Sequence, residues 1–269
     1  MTSIGFRAFY GCKNLTSITI PNSVTSITDQ AFSGCTNLTS ITIPDSVTSI
    51  GGGAFSRCTS LTSVTLPHSV SDIGEYAFLG CTNLTSFTIP DSVTSIGPGV
   101  FSGCINLISI IVDKKNKDYS SFNGILFNKD RTAFISYPTA ASKYIIPNSV
   151  SCIGECAFSG CTNLTAVTIP DSVTNIGDNA FSDCTSLTSV TLPSSGIVGE
   201  CVFRNCACLK KVIVPPNVSV KKGAFDDHTT VVFRELMWMD KGLCSYCGGQ
   251  FKTGFLGIKC RNCGRPKDY

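Results

Sequence analysis

Ala31 to Gly53 read AFSGCTNLTSITIPDSVTSIGGG, and this stretch decides the fold. Along Leu38-Thr39-Ser40-Ile41-Thr42-Ile43, the apolar residues Leu38, Ile41 and Ile43 point one way and Thr39, Ser40 and Thr42 the other. Pro44 ends the segment, because it has no N–H to give to a ladder. Val47 and Ile50 make a second, shorter apolar pair, closed by Gly51. One such unit cannot bury these side chains alone. Stacked units can, as parallel rungs about 4.8 Å apart.

The unit recurs on both sides. Cys12, Cys35, Cys58, Cys81 and Cys104 are spaced by 23 residues, and Phe9, Phe32, Phe55, Phe78 and Phe101 keep the same step. The register breaks, resumes at Phe158-Cys161 and Phe181-Cys184, and continues one residue short at Phe203-Cys206. A last, degenerate copy has Ala224-Phe225, with His228 where the cysteine should stand. The pattern predicts columns of like on like, with Leu over Leu, Ile over Ile and Phe over Phe. A repeat solenoid follows, mostly β, built of parallel stacked coils of 23 residues.

The Ala-Phe-x-x-Cys, Leu-x-x-Ile-x-Ile-Pro and Ser-Val-x-x-Ile-Gly segments resemble the leucine-rich repeat of BspA-like proteins over residues 1–233. The resemblance implies a curved solenoid with one long parallel sheet. It also implies adhesion or protein binding, since the family includes bacterial surface adhesins.

Bulk properties set outer limits. Hydrophobic residues make up 42% of the 269 and charged residues 14%, which excludes a disordered chain and a coiled coil. The first 199 residues hold 9 Lys and Arg against 12 Asp and Glu; the last 70 hold 12 against 6, so the C-terminal end is basic. No apolar stretch approaches the ~18 residues of a membrane span. Met1-Thr2-Ser3-Ile4-Gly5 lacks the pattern of a signal peptide. Thr2-Ser3-Ile4-Gly5 matches Thr48-Ser49-Ile50-Gly51, so the chain starts within a coil. Either that uncapped first coil associates with something, or the chain is part of a longer solenoid.

The outer strand face carries Thr39, Ser40 and Thr42 and their equivalents. It reads first as a default polar face from repeat duplication, and second as a flat hydroxyl surface for a glycan or a protein. Ice binding ranks last, because the hydroxyls are spaced Thr-x-x-Thr. Asn22, Asp45, His68, Asp91, Asn148 and Asp171 form a ladder after the strand. There His68 falls between two carboxylates, but Pro-Asp-Ser is turn chemistry and that reading is preferred to a cation or acid–base site.

Residues 105–156 are the irregular insert. Asn123-Gly124 is a tight-turn dipeptide, and Ile125-Leu126-Phe127 with Thr132-Ala133-Phe134-Ile135 reads as a hairpin, expected to form a small core of its own. Mixed aromatic and charged residues make this the first place to look for a partner. The candidate contact patch is Lys114, Lys115, Lys117, Tyr119, Lys129 and Arg131.

Twelve of the 16 cysteines fall into two classes, and Cys152, Cys156, Cys201 and Cys208 lie off the repeat column and read as structural too. Those on the repeat column have parallel side-chain vectors, which is poor geometry for bridging, and read as buried free thiols. Cys244-x-x-Cys247 and Cys260-x-x-Cys263 are two knuckles 12 residues apart, each followed by a glycine (Gly248, Gly264). Two such turns complete a tetrahedral four-sulfur site, so residues 244–269 are expected to be a zinc ribbon with a structural Zn2+. A rubredoxin-like iron site and disulfides are the alternatives. Residues 234–243, including Trp238, are expected to cap the last coil or link it to the ribbon.

The functional expectation is a non-enzymatic scaffold that binds protein or glycan and is adhesin-like by resemblance, hence cell adhesion. The alternative is a nucleic-acid-associated ribbon, favoured by Lys252, Lys259, Arg261, Arg265 and Lys267. An enzyme is the weakest reading. The two histidines have repeat-position explanations, no phosphate-cradling loop appears, and no Ser or Thr has a partnered base. Reduced cysteines, the ribbon and the absent signal peptide point to the cytoplasm, which is the expectation; the resemblance points to the cell surface, the alternative if the chain is part of a longer one.

Overall fold

The computed structural model describes residues 2–138 and 142–233, with the backbone of Phe251–Gly254 and Gly257–Cys260. The described chain winds as stacked coils without a helix. Each regular coil contributes two short strands. Ser40–Thr42 pairs in parallel with Ser63–Thr65 in register, Ile41 against Val64. Ser26–Ile27 pairs with Ser3–Ile4 on one side and Ser49–Ile50 on the other.

The longest ladders differ from the expected single sheet along the Leu-x-x-Ile-x-Ile strand. That column is cut into short ladders: 40–42 with 63–65, 86–89 with 109–112, and 143–145 with 166–168 and 189–191. The Ser-Ile segment, read from sequence only as an apolar pair, carries a five-stranded ladder ending at Ser95–Ile96 and most of a seven-stranded one. Glycine marks the closest approach in that ladder, which also runs through coils with Thr28 and Lys221 at the same place. A Cβ on Gly51, Gly74 or Gly97 would lie 2.5 Å or less from backbone of the coil before it. Coils therefore press together at that corner closely enough to pair continuously.

The remaining corner is made by two left-handed residues per coil, four apart, such as Gln30 (φ 55°) and Gly34 (φ 76°), or Asn179 (φ 56°) and Asp183 (φ 59°). Between them lies the Ala-Phe pair. Phe32 N–H donates to Ala54 C=O at 2.8 Å, and Phe55 repeats this to Ala77. The phenyl rings form the predicted column. Centroids of Phe9, Phe32, Phe55 and Phe78 follow one another at 5.0, 5.4 and 5.4 Å with planes within 7°. Phe158, Phe181, Phe203 and Phe225 continue it at 4.6, 5.3 and 5.2 Å. From coil to coil, Phe32, Phe55, Leu38, Leu61, Val47 and Val70 are fully buried. In the first coil Phe9 and Leu15 are only half-buried and Cys12 is exposed.

The column cysteines in the described region are free thiols, as their spacing predicts. Each buried thiol also has a function that spacing does not reveal. Cys35 S–H donates to Phe9 C=O at 3.0 Å, Cys58 to Phe32 at 3.2 Å and Cys81 to Phe55 at 3.1 Å. The sulfur thus fills a core position and gives a second hydrogen bond to a carbonyl that already accepts from its own coil, as Phe32 C=O does from Cys35 N–H at 3.1 Å. Burial pushes the Cys58 and Cys104 thiols up to about 12.

The insert is narrower than 105–156. The coil of Cys104 keeps register through Val112, and Lys143–Ile145 is already paired as a regular strand. Between them runs a three-stranded antiparallel meander, Tyr119–Phe122, Ile125–Asn128 and Ala133–Ser136. Asn123 (φ 51°) and Gly124 (φ 79°) make the expected tight turn. The meander does not have a core of its own. Leu126 packs into the first apolar core, with Phe101 and Ile110, whereas Ile125 and Phe127 pack into the second, with Phe158. A strand with apolar side chains on both faces joins the two stacks, because neighbouring residues point to opposite sides of a pleat.

Candidate binding surface

Many hydroxyls on the threonine face are occupied. Thr39 Oγ1 donates to Thr16 C=O at 3.2 Å, Thr165 to Ser142 at 2.8 Å and Thr188 to Thr165 at 3.0 Å. Ser46, Ser69 and Ser92 hold the opposite corner, each donating at 2.6 Å to a valine carbonyl one coil back. These residues staple coils together. Ser40, Thr42, Ser63 and Thr65 stay on the exposed side of their strands and form the open part of the face.

The turn ladder also serves the stack. Asp171 Oδ1 accepts from Ser194 N–H at 2.7 Å, one coil on. His68 Nδ1 lies 2.5 Å from Asp91 Oδ1, and that hydrogen bond holds the Asp91 carboxyl below its ordinary range. The pair is exposed, with 75% of the His68 side chain accessible, so it is a surface contact of the turn.

The proposed contact patch divides in two. Lys114, Lys115, Lys117 and Arg131 are exposed. The Arg131 guanidinium sits 4.9 Å over the Phe122 ring. Tyr119 is turned inward: its hydroxyl accepts from Ile96 N–H at 3.0 Å, and burial raises its phenol. Lys129 Nζ donates to the Asn116 carbonyl. Tyr119 therefore shapes the segment, whereas Lys129 is exposed like the other lysines while its ammonium holds the loop.

Asn116 is the residue the sequence reading missed. It is fully buried and makes four hydrogen bonds. Its Nδ2 donates to Pro90 C=O at 2.8 Å and Val93 C=O at 2.9 Å, and its Oδ1 accepts from Asp118 N–H at 2.9 Å and Tyr119 N–H at 2.8 Å. One asparagine so anchors the charged loop to the coil below. The only hint was its place in a run of lysines and aspartates, which looks like any solvated loop. The meander also protects a strand edge. Ile110 N–H donates to Gly124 C=O at 2.8 Å, and Val112 N–H to Ser121 Oγ at 3.0 Å.

Cys244, Cys247 and Cys263 lie outside the described residues, as do residues 234–243. Of Cys260 the backbone is described: Phe251–Gly254 and Gly257–Cys260 pair antiparallel, with Phe251 opposite Cys260. Among the described residues no cluster of His, Cys, Asp and Glu could hold a metal ion, and no helix is long and apolar enough to cross a membrane.

Parallel coils, a phenylalanine spine and a face of short strands define a leucine-rich-repeat solenoid. The chain belongs to the BspA type leucine rich repeat family, which matches residues 2–127 and 130–234 in six copies. It is similar to the structure of a leucine rich cell surface protein from Faecalibacterium prausnitzii, at 35% identity over 84% of this chain and 68% of that one, with a TM-score of 0.70. It is also similar to the pneumococcal vaccine antigen PcpA, at 27% identity over 83% of this chain, with a TM-score of 0.71. A leucine-rich repeat protein from Eubacterium ventriosum matches at 26% identity over 82% of this chain and 73% of that one, with a TM-score of 0.62. The chain spans 64% of the PcpA structure's length. No curated protein matches it. A relative described as a cell surface protein does not favour the cytoplasmic expectation.

Proposed function

We propose that the protein is a non-enzymatic binding scaffold, displayed at the cell surface, that engages a protein partner through the strand face around the meander. One observation carries this: the regular face is a uniform run of Ser and Thr, part of it spent on bonds between coils, whereas the segment 113–131 presents Lys114, Lys115, Lys117 and an Arg131-capped Phe122 to solvent. Membership of a repeat-scaffold family and similarity to a surface protein support the class and the compartment. Glycan binding is the competing ligand class, and the same experiment separates the two. The full chain is immobilised and probed with an array of glycans and with surface proteins of neighbouring cells. A charge-reversed variant at Lys114, Lys115, Lys117 and Arg131 is run beside it. Binding of a protein that the variant loses supports the reading; equal binding by both rejects the patch.

The second part of the proposal is that Cys244, Cys247, Cys260 and Cys263 hold a structural Zn2+. Knuckle spacing supports it, together with a hairpin whose register returns Cys260 opposite Phe251, four positions along the sequence from Cys247. One zinc per chain by elemental analysis, lost on Cys244→Ser with Cys260→Ser, is the expected result. A metal-free wild type, or iron in place of zinc, overturns it.

A further inference from the structure

The coil of Cys104 departs from every other coil in one respect. Ile105, Ile108 and Ile111 stand one, four and seven residues after the cysteine. In the coil before it those positions are Thr82, Thr85 and Thr88, and in the two that follow the meander they are Thr162, Thr165, Thr168 and Thr185, Thr188, Thr191. No other coil has apolar residues at all three.

None of the three serves the core. That coil's interior is filled by Leu107, Ile110 and Val112, whereas Ile105 is 41% exposed, Ile108 64% and Ile111 50%. Strand preference does not explain the exchange either, since Thr and Ile are both β-branched. The exchange gives up hydrogen bonds that Thr makes elsewhere, such as Thr59 Oγ1 to Thr36 C=O at 3.2 Å and Thr82 Oγ1 to Thr59 C=O at 3.4 Å. One loss is made good locally, because Asn106 Nδ2 donates to Thr82 C=O at 2.8 Å in place of the missing hydroxyl. Three exposed isoleucines together on one coil mark a contact surface.

The surroundings indicate what it contacts. Gly124 presses against Ile108, its absent Cβ lying 3.1 Å from the Ile108 carbonyl, so the Asn123–Gly124 turn borders the patch. Phe122, 50% exposed, stands two residues away under Arg131. Lys114 and Lys115 follow the strand after Asp113. Of the nine Lys and Arg in residues 1–199, six lie between 105 and 156. The same window holds four of the twelve Asp and Glu of residues 1–199, so it carries a net +2 where the rest of that stretch carries −5, and the patch is an apolar centre beside a net basic segment. A second copy of this chain, joined face to face about a two-fold axis, would bring the two lysine clusters together. The strand edge beside it is closed by Gly124 and Ser121, so a partner docks on the side chains and does not add a strand.

We propose that Ile105, Ile108 and Ile111 receive a segment of a different protein that carries branched or aromatic apolar residues together with Asp and Glu. This rests on the protein-binding reading above and narrows it to a site and a partner chemistry. The test pans a displayed random 12-residue peptide library on the full chain. The expected enrichment is for apolar peptides with acidic residues, whose affinity weakens with salt. Ile105→Thr, Ile108→Thr and Ile111→Thr together restore the residues of the other coils, so the variant folds with an unchanged Tm and should bind the enriched peptides about tenfold or more less tightly. Lys114→Glu with Lys115→Glu should weaken them and flatten the salt dependence. Peptides that bind wild type and the threonine variant equally would overturn this inference and leave the scaffold reading standing. So would wild-type self-association that the threonine variant abolishes. Failure to enrich any peptide, with no protein bound in the array experiment, would overturn both.

Discussion

Gly74 shows how closely one residue can be specified by stacking. A methyl group there would lie 2.5 Å from Gly52 N and 2.7 Å from the Gly51 carbonyl carbon, both of them backbone that cannot swing away. Gly5, at the same coil position, has nothing within 4 Å of the same methyl. Gly74→Ala should therefore cost about 1–3 kcal/mol, and Gly5→Ala close to nothing, by urea denaturation of each variant. The phenylalanine column makes a larger demand. Phe55 is fully buried between Phe32 and Phe78, at 5.4 Å from each, so Phe55→Ala should cost about 3–5 kcal/mol. Thr42, on the exposed side of its strand, is the control: Thr42→Ala should stay within about 0.5 kcal/mol. Spacing alone was enough to place phenylalanine and cysteine in the core. It did not show why glycine follows Ile50 and Ile73, because close approach of two backbones leaves no mark on the apolar pattern.

Among the elements, the strand and the corner were legible and the meander only partly so. The alternation in Leu38–Ile43 fixed which side chains are buried, and Asn123-Gly124 fixed a turn, since both signals are local. What the strand 125–128 packs against is a long-range matter. Leu126 and Phe127 look alike in sequence, yet each joins a different core. The same limit hid Asn116, whose partners Pro90 and Val93 are more than twenty residues away. Its role predicts a clear loss. Asn116→Ala leaves the Val93 carbonyl and two N–H groups without the partners they have here, and the Pro90 carbonyl with only Val93 N–H at 3.4 Å, and should destabilise the chain by about 2–4 kcal/mol. The loop 113–118 should open with it, read as faster amide exchange at Asp118 and Tyr119 than in wild type. Of the candidate contact residues, the lysines and Arg131 were readable as surface charge. Tyr119 was not readable as inward, because its hydroxyl is satisfied by the backbone of the preceding coil at Ile96.

For the whole molecule, the column of thiols couples stability to alkaline pH. In the unfolded chain these cysteines ionise at the ordinary value of 9.0; folded, Cys58 and Cys104 are pushed up to about 12 by burial, and Cys81 and Cys184 are raised well above the ordinary value, Cys81 by burial and Cys184 by its hydrogen bond with Cys161 and by burial. A group whose folded value is raised holds its proton longer in the native state. The unfolded chain therefore gains thiolates first, and the stabilisation, complete below pH 9, is lost as pH climbs towards 12. Cys58, Cys81, Cys104 and Cys184 each add to the slope through burial, and at Cys58 and Cys81 repulsion from thiolates on adjacent coils adds to it. The urea midpoint should fall steeply between pH 9 and 11, and less steeply when Cys58 and Cys104 are both alanine, compared at matched pH so that Tyr and Lys titration cancels. The same geometry orders reactivity. At pH 7 a maleimide should modify exposed Cys12 and Cys208 and spare Cys35, Cys58, Cys81 and Cys184 until urea opens the stack. An equal slope in the alanine variant, with ready labelling of the column cysteines in native protein, would mean that the coils part far more easily than their stacking allows.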